Sequence, residues 1–255
     1  MNFSNHYTPQ ANSLSDRVIL ITGASDGIGK SLAIAAAKLG AIVIAHGKST
    51  KKLEALDDAI KSIVGYRPAL LPLDFEKAGA NEYQALVQAI EHNYGRLDGL
   101  VHNAAMMGDH APIEHHDIAK WMRTLHVNTT AAFILTRHCF PLLRKSTDAS
   151  IVFSSCEVAV KTKSNWGAYS VSKHANEGFM QMLAEELEST HIRVNSVDPG
   201  AVNSRIRLQV FPAENRDQLA KPEDVVAPYL FLLSGDSKGV NGQRFSIPST
   251  IQGGG

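Results

Sequence analysis

Tyr169 and Lys173 stand four residues apart in the run Tyr169-Ser170-Val171-Ser172-Lys173. On a helix that spacing projects both side chains from one face, one turn apart. A free phenol titrates near about 10, too high to exchange protons readily at neutral pH, and a neighbouring ammonium favours the phenolate. The pair therefore has the makings of an acid/base that moves a proton on or off an alcohol or carbonyl oxygen. The same spacing also occurs on ordinary solvated helices, so its meaning depends on the rest of the chain.

A second group lies far upstream. Gly23, Ser25, Asp26, Gly27, Ile28 and Gly29 fall in Thr22-Gly23-Ala24-Ser25-Asp26-Gly27-Ile28-Gly29, after the apolar run Val18-Ile19-Leu20-Ile21 and before an alanine-rich stretch ended by Gly40. Strand, glycine turn and helix set backbone N–H groups and a helix N-terminus against a pyrophosphate. The spacing is G-x-x-x-G-x-G rather than G-x-G-x-x-G.

The elements that must position these groups alternate along the chain. Strands are expected at 17–22, 41–45, 69–73, 99–103, 149–155, 192–198 and 243–247, and helices at 28–39, 50–63, 80–93, 117–143, 168–188 and 223–233. Such alternation implies right-handed βαβ units, hence an α/β fold: a Rossmann-type doubly wound parallel sheet of about seven strands with helices on both faces. No linker or repeat divides the chain. Residues 1–15 are expected as an N-terminal extension and 16–250 as one domain, with Gly253-Gly254-Gly255 as a frayed end. Val202 to Lys221 is expected as a long irregular lid or binding loop. Ligands of such sheets bind at the carboxyl ends of the strands, where the glycine turn, Lys48, Asp74, Asn103, Ser154–Cys156 and Pro199-Gly200 all fall.

Composition limits the alternatives. The 255 residues hold 25 acidic and 25 basic side chains with no concentrated block, which argues against nucleic acid as a partner. No apolar stretch approaches the roughly 20 residues that span a bilayer. The first fifteen residues, with Asn2, Asn5, His6, Thr8, Gln10 and Asn12, lack the apolar core of a signal peptide. Cys139 and Cys156 are the two cysteines, so no disulfide framework is expected, and a cytoplasmic location follows from the reducing compartment this implies. Eleven histidines show no metal-ligand spacing; His115 and His116 are adjacent, and no metal is expected.

Together these residues resemble the short-chain dehydrogenase/reductase family, over residues 17 to about 248. The motifs are TGASDGIG at 22–29, Asp74, HNAA at 102–105, Asn128 after Val127, YSVSK at 169–173 and DPG at 198–200. Within the family the chain is most similar to the bacterial YciK-type oxidoreductases, through LDGLVHNAAMMGD at 97–109, NWGAYSVSKHANEGFMQMLAEE at 165–186 and FPAE at 211–214. The resemblance implies hydride transfer between a nicotinamide dinucleotide and a small alcohol or carbonyl substrate. Gly23, Ser25, Asp26, Gly27, Ile28 and Gly29 would hold the pyrophosphate side. Asp74 would accept from the adenine amino group, with Asn103 and Ala104 along the adenosine half. Pro199, Gly200, Val202 and Ser204 would meet the nicotinamide end. Tyr169 would be the proton donor or base, and Lys173 would bind the ribose hydroxyls and hold the Tyr169 pKa down. Asn128 would interrupt its helix to seat a water linking Lys173 to solvent. Each role has a structural competitor: Asp74 as a cap, Asn128 as an ordinary helix residue, Lys48 as solvated surface.

One position departs from the family pattern. The serine that orients substrate should stand at 156, where this chain has Cys156. A thiol is a weak donor, and losing a major donor of this kind costs roughly 2.7–4 kcal/mol of transition-state stabilisation. Three readings follow: Cys156 does the work less well, Ser155 takes it over after a backbone shift, or the protein is a cofactor-binding sensor or scaffold with little catalysis. The segment Ala45-His46-Gly47-Lys48-Ser49-Thr50 carries no carboxylate to receive a ribose 2′-hydroxyl, whereas Lys48 and Ser49 suit a 2′-phosphate, so NADP(H) is expected over NAD(H). Met106, Met107, Val160, Trp166 and the 202–221 segment are expected to wall an apolar substrate pocket, with Arg205 and Arg207 as candidate anion contacts. The resemblance implies a homodimer or homotetramer, with the apolar faces of helices 117–143 and 168–188 as the candidate contact.

Overall fold

The computed structural model describes residues 1–3 and 7–247; the expected glycine end at 253–255 and the end of the expected domain at 250 lie outside the described residues. The strands are β1 (Val18–Ile21), β2 (Ile42–Gly47), β3 (Ala69–Pro72), β4 (Gly99–His102), β5 (Ala149–Ser154), β6 (Ile192–Asp198) and β7 (Arg244–Ser246). All neighbours pair in parallel, in the order β3-β2-β1-β4-β5-β6-β7. Parallel strands need crossovers. These run through α1 (Gly27–Lys38), α2 (Thr50–Val64), α3 (Ala80–Tyr94), α4 (Ile118–Leu125), α5 (Ala131–Leu143), α6 (Gly167–Glu186), α7 (Arg205–Val210) and α8 (Ala227–Leu233).

The sheet is dry on both faces, which is why its central strands read as unbroken apolar runs. Val18 and Leu20 of β1 pack with α3, α5 and α6, while Ile19 and Ile21 face α1, α2 and α8. The strand order reverses between β1 and β4, leaving a crevice at their carboxyl ends. Local chemistry sets the helix ends beside it. Asp26 caps α1 by accepting from Gly27 N, Ser49 caps α2 by accepting from Lys52 N, and Gly40 at φ 90° ends α1 in the left-handed region that glycine favours.

The structure differs from the sequence expectation at several elements. The single helix expected over 117–143 is α4, a π-turn over His126–Thr130, and α5. The expected loop 202–221 contains α7, capped by Ser204, which accepts from Arg207 N. The expected helix 223–233 begins as a 3-10 turn over Pro222–Val225 before α8. Strand ends move by one or two residues, and β2 runs on to include His46 and Gly47.

Residues 1–15, expected outside the domain, contribute Phe3 and Leu14 to its core. Asn2 bridges Ser246 in parallel, adding to the free edge of β7, with Phe3 N donating to the Ser246 carbonyl at 3.0 Å. The rings of Phe3 and Tyr7 pack on Phe231 at 5.7 and 5.2 Å between centroids.

Candidate active site

The glycine turn, the ends of β2 to β6 and the first turns of α6 and α7 line one cleft. Of the residues singled out in the sequence, Gly23, Ser25, Asp26, Gly27, Ile28, Lys48, Ser49, Asp74, Asn103, Ala104, Ser155, Cys156, Tyr169, Lys173, Pro199, Gly200, Val202 and Ser204 are on its wall. Gly29 and Asn128 stand behind the wall. Met107 lies buried beneath it, and Val160 is 58% exposed outside it. The expectation that Val160 walls the pocket is therefore corrected: it follows a 3-10 turn that carries it away from Tyr169.

Two glycines of the turn do different jobs. A Cβ on Gly29 would lie 2.4 Å from the Gly23 carbonyl, so glycine there permits the turn to close on itself. Gly27 has φ +51°, and a Cβ there would meet nothing within 4 Å. That open space in front of a helix N-terminus fits a pyrophosphate. Asn103 braces the cradle: its Nδ2 donates to the Thr22 carbonyl at 3.1 Å, and its Oδ1 accepts from Ser154 Oγ at 3.3 Å. Asp74 Oδ1 accepts from Glu76 N at 3.1 Å, closing a local turn, while Gly79 rather than Asp74 caps the following helix; Asp74 lines the cleft.

Tyr169 and Lys173 share a face of α6, both buried. Lys173 Nζ donates to the Ser154 carbonyl at 2.6 Å and stands 5.6 Å from the Tyr169 ring centroid. Burial pushes the Tyr169 phenol well above its ordinary range, with the adjacent Cys156 adding to the shift, and burial lowers the Lys173 ammonium. Burial, the largest effect on the phenol, pushes the opposite way from the pull expected of Lys173. Cys156 packs against Tyr169, and burial raises its thiol.

Ser155 is turned to other work. Its hydroxyl donates to Glu177 Oε1, while Ser196 Oγ donates to Oε2 at 2.9 Å. Arg244 Nη2 then joins Asp198 Oδ2 at 2.6 Å and the Cys156 carbonyl at 3.2 Å. This buried network pins the backbone that carries Cys156, and it weighs against Ser155 as substitute donor. Sequence reading missed Glu177, although it stands four residues beyond Lys173, the next turn of the stripe begun by Tyr169.

Asn128 sits in the π-turn, a common way to insert one extra residue at a functional place. Its Oδ1 accepts from Met106 N at 2.8 Å and its Nδ2 donates to the Met106 carbonyl at 2.9 Å. Its own carbonyl accepts from Asn176 Nδ2 at 2.9 Å.

Two further residues at the adenosine end were missed. Lys52, four residues after Lys48, lines the cleft and pairs with Asp26. His46 is buried and stacked on Phe75 at 4.1 Å, and it hydrogen-bonds the Leu73 carbonyl; burial pushes it down to about 4.

The comparisons agree with this architecture. Residues 17–215 match the family model for short chain dehydrogenases. The oxidoreductase YciK of Escherichia coli K12 is 40% identical over 94% of this chain and 95% of its own. A short chain dehydrogenase structure from Pseudomonas syringae superposes at TM-score 0.93 with 44% identity, over 96% of this chain and 99% of that one. One from Escherichia coli CFT073, complexed with NADPH, does so at 0.91 with 40% identity, over 93% and 99%. A parallel sheet with a glycine cradle at its switch point, a Tyr/Lys pair facing it and matches spanning nearly the whole length lead to one assignment: the chain belongs to the short-chain dehydrogenase family of NAD(P)-dependent oxidoreductases.

Proposed function

We propose that this enzyme reduces a carbonyl to an alcohol with NADPH, Tyr169 giving the proton. The observation that carries the reading is the Tyr169 hydroxyl on the wall of the same cleft as the glycine cradle, one helical turn from Lys173. A phenol that stays protonated at neutral pH suits the donor role better than the base role. Lys173 would orient the cofactor's ribose and replenish the proton, and Cys156 would donate weakly to the substrate oxygen. The cofactor, when bound, supplies the hydride. The Gly23–Gly29 turn would hold its diphosphate, with Asp74, Asn103 and Ala104 along the adenosine and Pro199, Gly200, Val202 and Ser204 at the nicotinamide end. Cationic Lys48 and Lys52, with Ser49, stand where β2 ends and no carboxylate competes for the ribose except Asp26, which Lys52 neutralises. That supports NADP(H) over NAD(H), as does the NADPH complex of the Escherichia coli CFT073 relative.

The test is steady-state turnover of a ketone and aldehyde panel, with cofactor affinity read by fluorescence titration. Tyr169→Phe is expected to lower kcat by about 10²-fold or more while NADPH affinity is kept. Tighter binding of NADH than NADPH would reverse the cofactor assignment; unchanged turnover in Tyr169→Phe would leave a cofactor-binding protein without this chemistry.

A further inference from the structure

Beyond Tyr169 the cleft is apolar. Met107, Val158, Tyr169 and Val210 form a buried cluster with Ala105, Cys156, Trp166 and Ile206 against it. The Trp166 ring lies 5.8 Å from that of Tyr169 and 6.2 Å from that of Phe211, so α7 and the residue after it close over the indole. One cation on this wall, Arg207, projects from the same helix. It is fully engaged. Its Nε donates to Glu214 Oε2 at 2.6 Å, its Nη2 donates to Oε1, and its guanidinium covers the Phe211 ring at 4.3 Å. A two-pronged fork of this kind uses the guanidinium's charge and its geometry together.

Three other cations nearby have partners. Lys173 is bound to the Ser154 carbonyl and Arg244 to Asp198, while Lys163 pairs with Glu157. Arg205, the next cation on α7, is exposed and faces the phosphate end of the cleft beside Asp26 and Gly27. A carboxylate entering beside Trp166 would lose its water without gaining a partner.

We propose that the Arg207–Glu214 pair keeps the cover of the substrate chamber neutral, so that the enzyme selects uncharged carbonyl compounds with an aromatic or alicyclic body over oxo acids of the same skeleton. This deepens the reductase reading and rests on it. The flat body lies between Trp166 and α7, and the carbonyl oxygen faces the Tyr169 hydroxyl and Cys156 thiol. Arg207 and Glu214 act as specificity determinants without touching the reacting atoms.

The experiment uses matched pairs: acetophenone with 4-acetylbenzoate, and cyclohexanone with 4-oxocyclohexanecarboxylate. The wild-type enzyme is expected to favour the neutral member by at least about tenfold in kcat/KM, mainly through KM. Glu214→Gln, which frees the guanidinium, should narrow that ratio by lowering KM for the carboxylates. The double variant Arg207→Met/Glu214→Met, which removes both charges, should retain the wild-type preference and serves if the single variant does not fold. Equal or better use of the carboxylates by wild type overturns the proposal, as does a ratio that Glu214→Gln leaves unchanged. Quenching of tryptophan fluorescence by each compound in the presence of NADP⁺ gives the same ratio without turnover. Absent turnover with intact NADPH binding therefore defeats the reductase reading, while the binding ratio still decides the selection.

Discussion

At the level of single residues, the chemistry turns on what surrounds one phenol. Tyr169 has a thiol rather than a hydroxyl beside it, and burial raises both groups. Replacing Cys156 with Ser restores a stronger donor, so we expect kcat for carbonyl reduction to rise by about tenfold, within the roughly 10²–10³ such a donor can supply. An unchanged or lower kcat would show that the thiol is not a substrate contact. Because the donor form of Tyr169 is lost only above its raised pKa, the reductive rate should be flat through neutral pH and fall in the alkaline range; the oxidative rate should rise there. Two buried histidines give a second pH effect. His102, hydrogen-bonded to Thr136 Oγ1 at 2.8 Å, is pushed down to about 3, and His46 to about 4, both by burial. Between those values and the ordinary 6.5, the unfolded chain takes up protons that the folded one refuses. Stability is therefore full above that ordinary value and falls as pH drops toward 4, by up to about 1.4 kcal/mol per pH unit for each histidine. Urea unfolding at pH 7.5 and pH 5, with His102→Gln expected to flatten the difference, measures it.

At the level of elements, the cleft depends on close backbone approach as much as on side chains. Gly29→Ala would force its methyl into the Gly23 carbonyl, and we expect lost NADPH binding together with a destabilisation of about 1–3 kcal/mol, read by thermal unfolding. Most of this element plan was legible in the sequence, because β1 and the middles of β2, β4 and β5 are apolar on both sides and glycines or Asp/Ser caps mark the helix ends. The π-turn was not legible in periodicity: one extra residue at Asn128 changes neither the hydrophobic content nor the length of 117–143 enough to signal a break. Helix α7 was missed because it is six residues long, too short for a helical stripe. Among site residues, the glycine turn and the Tyr/Lys pair stood out by spacing, whereas Glu177, Arg244 and Asn176 act through partners distant in sequence. The sign of the Tyr169 shift was also out of reach, since burial is a property of the folded chain and spacing conveys only the cation.

At the level of the whole molecule, one side of the sheet leaves an apolar face uncovered. Phe133 of α5 and Val171 and Met182 of α6 are 50%, 46% and 48% exposed, and Val171 and Met182 are eleven residues apart, about three turns. A second copy meeting these helices would bury them, giving the homodimer or homotetramer expected from the sequence. Light scattering should find at least a dimer, and Phe133→Glu with Met182→Glu should yield monomers; a monomeric wild type would dismiss that face as an interface. No helix among the described residues is long and apolar enough to cross a membrane. At the other end of the sheet, Asn2 meets Ser246, a residue far from it in sequence. During synthesis Asn2 and Phe3 therefore have no strand to pair with until β7 has been made. Ribosome-bound chains stopped short of Arg244 would present Phe3 and Tyr7 to chaperones, and the clasp at this edge closes only once β7 has emerged.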